Sequence, residues 1–344
     1  MFKRFAVMCA ALCAPPLMAQ EAQPVDQHAL VQAAVKEHIV PGFERLATAT
    51  ETLHMAAQAD CLSTSVTLRA AYHDAFDAWM GVSHLRFGPS EVDDRGFALA
   101  FWPDTKGFTP KALSRLIAAE DPVINTAEDF AHVSVAGRGF FGLEYLLFDD
   151  RIRQMGTPVY QCALVQRVAA DIALQANAIL IDWQSGYGDT MSFPSEDGPF
   201  QTSKEALQTI FKTLDAGLQF DVDVRLGRPL GTFDKPRPTR AEARRSERSL
   251  RNVAASSIAL EELASILATQ TPALDEAYGA AFGLVHGQVA DLEDDPVFAG
   301  VRDIQGRLRV EILQQYLNRV REITTLELGP ALGVTGGFNA LDGD

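Results

Sequence analysis

The residue with the most evident chemical potential in this sequence is Glu144, a single carboxylate within a long apolar run. From Phe140 to Phe148 every other residue except Gly142 is apolar or aromatic. A helix of this composition has no polar face and is expected to be buried all round. Burying an ionised carboxylate without a partner is costly, or shifts its pKa until the group is neutral. Glu144 therefore needs a basic residue, a metal ion or a ligand cation beside it.

Two groups of arginines are the candidate protein partners of Glu144. Arg138 lies one and a half helical turns earlier, and a later arginine-rich run contains Arg244, Arg245, Arg248 and Arg251. A guanidinium fork matches the two oxygens of a carboxylate. Two interpretations of Glu144 stay open at this point. It is either a cleft carboxylate that binds a cation or a ligand group, or a buried partner that holds two parts of the fold together.

Other side chains with chemical potential form weaker patterns. His73 and Asp77 are four residues apart on a predicted helix, a spacing that suits metal ligands but is more often a solvated helix face. The sequence has no HExxH motif, and Ser185 is not part of a nucleophile elbow because no strand precedes it. No set of catalytic residues follows from local signatures.

The elements that must position Glu144 are helices. Apolar residues recur at helical spacing through most of the chain, for example in the predicted helices at 63–85, 124–148 and 240–270. No alternating stretch is long enough to predict a strand. Roughly 325 residues exceed what one core usually supports. We therefore predict an all-α fold of two helical bundle halves, an N-terminal half at 25–190 and a C-terminal half at 200–344.

The N-terminus has the pattern of a secretory signal peptide. Lys3 and Arg4 precede an apolar run from Phe5 to Leu17, and Ala19 ends a short polar-free segment before Gln20. The run is too short to span a bilayer. We predict cleavage after Ala19, a periplasmic or secreted location, and no transmembrane segment in the mature protein.

The net charge argues against one class of partner. The chain has 30 basic and 45 acidic residues, a formal charge of −15, and loss of the signal peptide removes two further basic residues. Binding to nucleic acid is therefore disfavoured, whereas a role in handling cations is compatible with this charge.

Two cysteines, Cys61 and Cys162, remain after removal of the signal peptide. In an oxidising compartment such a pair is expected to form a disulfide that joins the first helical region to a later one. The alternative is a pair of buried free thiols.

Several segments together resemble the imelysin-like family of exported bacterial proteins. The segment from Gly139 to Leu147 resembles the family's GxHxxE motif, and Arg245 to Val253 is similar to its arginine- and serine-rich helix start. Leu68 to Trp79, Phe87-Gly88-Pro89, Trp102-Pro103 and the ending Gly336 to Asp344 also match the family's pattern. The resemblance covers nearly all of the mature chain. It implies two bundle-like halves with a site in the cleft between them, and an association with iron uptake.

The sequence departs from the family motif at one ligand position. Phe141 stands where the family has a histidine, and phenylalanine has no lone pair for a metal. The resemblance implies a cleft site whose residues in this chain are Gly139, Phe141, Glu144, Trp102, Arg245 and Ser249. Glu144 is the candidate metal ligand, with His84 and His132 as the histidines that compensate for Phe141 if any do.

The sequence features and the family resemblance together predict a protein that binds a ligand without catalysis. The protein is expected to be a component of the uptake of iron or another divalent cation, with partners among iron-transport or outer- and inner-membrane uptake components. The alternatives are an imelysin-type metallopeptidase that uses other ligands, and a structural or interaction protein with a degenerate site.

Overall fold

The computed structural model describes residues 25–335. The predicted signal peptide at 1–19 and the family's C-terminal signature from Gly336 to Asp344 lie outside the described residues. Within them the fold is all-α, as predicted, and the only bridge between extended residues joins Thr232 to Lys235.

Fifteen α-helices follow one another along the described chain. The first nine are α1 Gln27–Ala33, α2 Val40–Ala59, α3 Val66–Met80, α4 Arg95–Leu99, α5 Phe108–Ala119, α6 Ala127–Ala131, α7 Gly139–Phe148, α8 Pro158–Asp182 and α9 Gly188–Ser192. The remaining six are α10 Ser203–Gln219, α11 Gly227–Leu230, α12 Ser249–Ala268, α13 Pro272–Asp291, α14 Ile304–Ile323 and α15 Gly329–Leu332.

Wide π-helical turns continue several of these helices. They are Ala34–Ile39, Trp183–Tyr187, Phe220–Leu226 and Thr324–Leu328. The first connects α1 to α2, so the chain remains helical past Pro41, which lies in the first turn of α2. A proline is tolerated there because the wider turn changes which backbone groups must pair.

Two groups of long helices form the body of the fold. In the first, α2 packs against α3 and α8, and α7 packs on α8. In the second, α13 packs between α12 and α14, and α10 packs against α12 and α14. Contacts cross between the groups, because α3 packs on α12 and α1 packs on α10. The buried apolar side chains form one continuous core. The division at 190–200 stays a prediction.

The two ends of the described chain meet on the second group of helices. The Asp26 N–H donates to Gln270 Oε1 at 2.7 Å, and Gln27 Nε2 donates to the Leu332 carbonyl at 2.8 Å. The first helix of the chain is therefore held by residues that come about 240 and 300 positions later.

The first group of helices carries a covalent crosslink and the most apolar helix. A disulfide joins Cys61, after α2, to Cys162 in α8. The helical stretch Pro158–Ser192 is long and apolar enough to cross a membrane by length and composition, but half of its most apolar window is buried in the core. A core helix of a soluble protein meets the same criteria, so the expectation of no transmembrane segment stays a prediction.

Two predicted helices are interrupted in the structure. The segment 124–148 divides into α6, a 3-10 turn at Val135–Gly137 and α7. The segment 240–270 is helical only from Ser249 onward, because Ala243 and Glu247 adopt positive φ angles of 44° and 57°. Between them the short 3-10 helix Arg244–Ser246 presents its backbone N–H groups to the core.

Candidate functional site

Helix α7 begins at a position that only glycine can occupy. Gly139 has a φ of +66°, and a Cβ added there would lie 2.2 Å from the Ala98 carbonyl oxygen and 2.3 Å from that of Leu99. The first turn of α7 therefore packs directly on the backbone of α4. This close contact fixes the direction in which Phe141 and Glu144 project.

Glu144 meets the 3-10 helix Arg244–Ser246 rather than a single cation. Its side chain is 1% exposed, and its Oε1 accepts hydrogen bonds from the Arg245 N–H at 3.0 Å, the Ser246 N–H at 3.1 Å and the Ser246 hydroxyl at 3.0 Å. The Arg245 guanidinium lies 3.8 Å from Oε2. Burial raises the pKa of Glu144, while Arg245 and Ser246 oppose that shift. The carboxylate thus satisfies backbone donors of a short helix.

The remaining predicted site residues around this contact have defined roles. Arg245 Nε donates to Asp149 at 2.8 Å, and its guanidinium covers the Tyr145 ring at 3.7 Å from the centroid. Ser249 is buried at the start of α12 and donates to the Glu242 carbonyl at 2.6 Å. Arg138 pairs instead with Asp171 in α8, at 2.6 Å. The arginine run supplies the partner of Glu144, and Arg138 does not.

A cavity of about 640 Å³, called here the main cavity, lies between α3, α7, α10 and the segment 83–103. Its wall is mostly apolar and aromatic, and includes Trp79, Phe87, Phe97, Trp102, Phe141 and Phe220. Phe141 is packed edge-on against Phe76 and lies parallel to Trp102, with ring centroids 6.2 Å apart. The ring that replaces the family's histidine is therefore part of an aromatic wall. A volume and wall of this kind suit a small organic ligand.

A buried charge cluster forms the polar part of the wall of the main cavity. Arg225 donates to Glu242 at 2.8 Å and to Asp221, and its Nη1 also reaches Ser256 at 3.1 Å. Burial raises the pKa of Asp221 to about 6 although Arg225 opposes the shift. Asn252 donates to the same Glu242 oxygen at 3.0 Å. Arg225 thus serves two carboxylates, and these contacts hold the wall in place, although Oδ2 of Asp221 is buried without a partner among the described residues.

His84 lies in the wall of the main cavity as the inner end of a chain of three side chains. Its Nε2 is 3.0 Å from Nε2 of the fully buried His38, and His38 Nδ1 is 3.0 Å from Oε2 of the half-exposed Glu262. Nδ1 of His84 has no partner among the described residues. Burial, His38 and Arg225 lower the pKa of His84 well below its usual value. His84 is therefore a neutral ring at the cavity.

The other candidate ligands are far from this arrangement or already engaged. His132 is exposed at the end of α6 and does not line the main cavity. His73 accepts a hydrogen bond from Arg248, and Asp77 pairs with Arg248 and Arg251. Across residues 25–335 no group of three or more His, Cys, Asp or Glu side chains is placed to hold a metal ion. Metal binding by Glu144, His84 or His132 stays a prediction.

A second space of about 120 Å³, called here the small cavity, adjoins the main cavity at Trp102 and Phe141. These two side chains belong to the walls of both cavities. Glu144, Tyr145 and Arg245 form part of the small cavity, together with Asp104 and two further arginines, Arg228 and Arg240. The motif derived from the sequence therefore lies at the boundary between an apolar and a polar space.

Sequence reasoning missed four residues that shape this site. His38 and Arg225 show no local signature, because their partners come from distant helices. Arg228 and Arg240 flank a segment rich in proline and glycine, and the sequence pattern Gly-Arg-Pro in this turn-forming region was the available signal.

These features define an all-helical protein with a ligand-sized cavity at the junction of two helical groups. A protein-family model described as Imelysin matches residues 39–324. The chain belongs to the imelysin family.

Solved structures share this fold at low sequence identity. An imelysin-like protein from Psychrobacter arcticum superposes with a TM-score of 0.76 at 19% identity, covering 91% of this chain and 97% of that one. A putative iron-regulated protein A precursor from Parabacteroides distasonis gives a TM-score of 0.71 at 15% identity, covering 89% and 97%. No curated protein matches the chain.

Proposed function

We propose that this chain is an exported, non-catalytic binding protein in an iron-associated process. The observation that carries the proposal is the main cavity of about 640 Å³, which is walled by aromatic rings and bounded by Phe141 at the family's histidine position. The iron association is supported by family membership and by the name of the Parabacteroides distasonis relative. Export is supported by the pattern of the first 19 residues and by the word precursor in that name.

The chemistry of the main cavity favours an organic ligand over a bare ion. Its polar side chains are largely paired with one another, as in the contacts of Arg225 with Asp221 and Glu242 and of His84 with His38. An aromatic wall stabilises an apolar body by removing its surface from water. Iron or another cation handled here therefore enters as a complex with an organic chelator. The groups in the wall hold the shape of the cavity, and none is arranged as a nucleophile with its base.

Calorimetric titration of the mature protein tests this proposal. The probes are ferrous sulfate, ferric citrate and hemin, the last representing an iron complex with a large apolar ring. We expect hemin to bind and the two simple iron forms to bind about tenfold more weakly or not at all, since only the apolar complex gains from burial. Tight binding of ferrous or ferric ion without an apolar chelator would contradict the proposal.

A blocked cavity supplies the matched control. Ala216→Phe places a ring in the main cavity from α10, whereas Lys204→Phe adds the same ring at an exposed position of the same helix. Ala216→Phe is expected to abolish hemin binding and Lys204→Phe to leave it intact. N-terminal sequencing of the protein recovered from the periplasm is expected to begin at Gln20.

A further inference from the structure

In the wall of the small cavity the carboxylates have partners, whereas two of the three arginines have no ion-pair or hydrogen-bond partner among the described residues. Both carboxylates in its wall are engaged by backbone donors: Glu144 by Arg245 and Ser246, and Asp104 by the N–H groups of Phe108 at 2.9 Å and Thr109 at 2.8 Å. Among the arginines of the wall, Arg245 pairs with Asp149.

Arg228 and Arg240 differ from Arg245. In the part of the chain that the structure describes, neither guanidinium makes an ion pair or a hydrogen bond, although Arg228 lies 5.7 Å from the Trp102 ring centroid. Burial and the nearby charge of Arg240 lower the pKa of Arg228. Nε of Arg228 is buried and lacks an acceptor. A buried donor without a partner is costly, and two like charges close together add to that cost.

The backbone holds these two arginines together. Gly231, with a φ of +56°, turns the chain after α11, and the Arg237 N–H donates to the Pro229 carbonyl at 2.8 Å. Arg307 from α14 donates to the Leu230 carbonyl at 2.8 Å and so supports the same turn. Arg240 ends the 3-10 helix that follows. The unpaired arginines thus come from two short segments that are fixed to each other and to α14.

We propose that Arg228 and Arg240 bind a small oxyanion in the small cavity, beside Glu144. A guanidinium presents paired N–H donors that match the oxygens of a carboxylate or phosphate group. The space of about 120 Å³ is of the size such a group needs. An oxyanion supplies the missing acceptor for Arg228 and separates the two like charges. This site takes an anion at the position where the family motif suggests a cation.

The oxyanion has two sources with the same chemistry. It is either a free inorganic anion or the acidic group of a ligand whose apolar body occupies the main cavity, since Trp102 and Phe141 line both spaces. The assignment of Arg228 and Arg240 is independent of the proposed function and is tested without iron.

Phosphate titration of the full mature protein tests the site. Calorimetry and thermal unfolding are measured with sodium phosphate and with sodium chloride at equal ionic strength. We expect phosphate to bind and to raise the melting temperature beyond the effect of chloride, since a ligand that binds only the folded state stabilises it. Equal effects of phosphate and chloride would overturn the proposal.

Variants assign the effect to the two side chains. Arg228→Met and Arg240→Gln are each expected to weaken phosphate binding by about tenfold or more, because each removes charged hydrogen bonds. Arg237→Gln removes the same charge from the same segment at an exposed position outside the cavity wall, and affinity should stay within about twofold. An equal loss in Arg237→Gln would show a diffuse charge effect and overturn the assignment. Arg240 is exposed, so its variant keeps the test valid if Arg228→Met folds poorly.

Two carboxylates distinguish the sources of the anion. Octanoate and acetate share the acidic group, but only octanoate has an apolar chain. If octanoate binds more tightly than acetate and Ala216→Phe abolishes that difference, the anion is the acidic group of a larger ligand. If octanoate and acetate bind with equal affinity, the anion is a free one. In either case binding must be lost in Arg240→Gln. Phosphate binding that survives in Ala216→Phe while hemin binding fails separates this site from the main cavity.

Discussion

At the scale of single residues, Glu144 shows which features of a site can be predicted from the sequence and which cannot. Its burial followed from the apolar run, and of its two candidate partner groups the arginine-rich segment, not Arg138, supplies the contact. The form of the contact was not predictable, because the main donors are backbone N–H groups of Arg245 and Ser246. Those groups face Glu144 only since Ala243 and Glu247 adopt left-handed backbone angles, and neither residue type signals such a conformation.

Substitution of Glu144 tests its role as a backbone partner. Glu144→Gln keeps one oxygen acceptor and is expected to lower the free energy of unfolding by about 1–2 kcal/mol, because charged hydrogen bonds become neutral. Glu144→Ala leaves buried donors unpaired and should cost more, about 3 kcal/mol or above. Urea unfolding measures both. We also expect Glu144→Gln to bind hemin as the parent protein does. Unchanged stability in Glu144→Ala would contradict the structural role of Glu144.

Two histidines make stability depend on pH. The pKa of His73 is lowered to about 4, first by burial and then by Arg248 and Arg251, with Asp77 and Asp74 opposing. The pKa of His84 is lowered by burial, His38 and Arg225. Below a pH of about 6.5 the unfolded chain therefore binds protons at these two histidines that the folded chain does not bind.

The contribution of these two histidines to the free energy of unfolding is expected to decrease as the pH falls from about 6.5 towards about 4, whereas the raised pKa values of Asp221 and Glu144 act in the opposite direction. His73→Gln and His84→Gln each remove one destabilising group, so stability in each variant should fall less, or rise more, over this range than in the parent protein. Thermal unfolding across this range is the measurement. Profiles that remain parallel to that of the parent protein would show that the histidines do not contribute.

At the scale of helices, amphipathic patterns predicted where helices occur but not how they end. The predicted helix at 240–270 begins nine residues late, at Ser249, because Glu242 to Arg248 are used for contacts with α3, α7 and the charge cluster. A proline inside a helix usually breaks or kinks it, yet the chain stays helical past Pro41, which follows a π turn. Tertiary contacts account for the late start of α12, and no local sequence signal reports them.

The start of α7 gives a prediction with a matched control. Gly139→Ala puts a Cβ within 2.2 Å of a backbone oxygen at a positive φ, so we expect a loss of about 3 kcal/mol or more. Gly279→Ala, in α13, has no atom within 4 Å of the new Cβ and should raise stability by about 0.5–1 kcal/mol. Denaturant midpoints compare the two. Equal effects of the two substitutions would refute the close packing of α7 on α4.

At the scale of the whole molecule, helical spacing predicted the all-α class, and the motif order predicted the family. The cavities were not predictable in shape, because their walls combine residues from α3, α7, α10 and the segments between them. Arg228 and Arg240 illustrate this, since their common cavity exists only after the turn at Gly231 and the packing of α14 are formed.

The disulfide contributes to the stability of the whole fold. Cys61 and Cys162 enclose a loop with a sequence separation of 101 residues, and a crosslink over such a loop restricts the unfolded chain. Replacing both by serine is expected to lower the free energy of unfolding by about 2–4 kcal/mol. Reduction of the parent protein with dithiothreitol should lower the melting temperature by about as much as the double serine substitution does. No change under either condition would contradict the crosslink.

The contacts of Asp26 and Gln27 with Gln270 and Leu332 impose an order of events on a chain that emerges N-terminus first. Helix α1 is synthesised early, yet its partners α10, Gln270 and Leu332 all lie in the second half of the chain. Contacts between distant parts of a chain form slowly, because a long loop must first close. Helix α1 therefore completes these contacts only after the second half of the chain has been made.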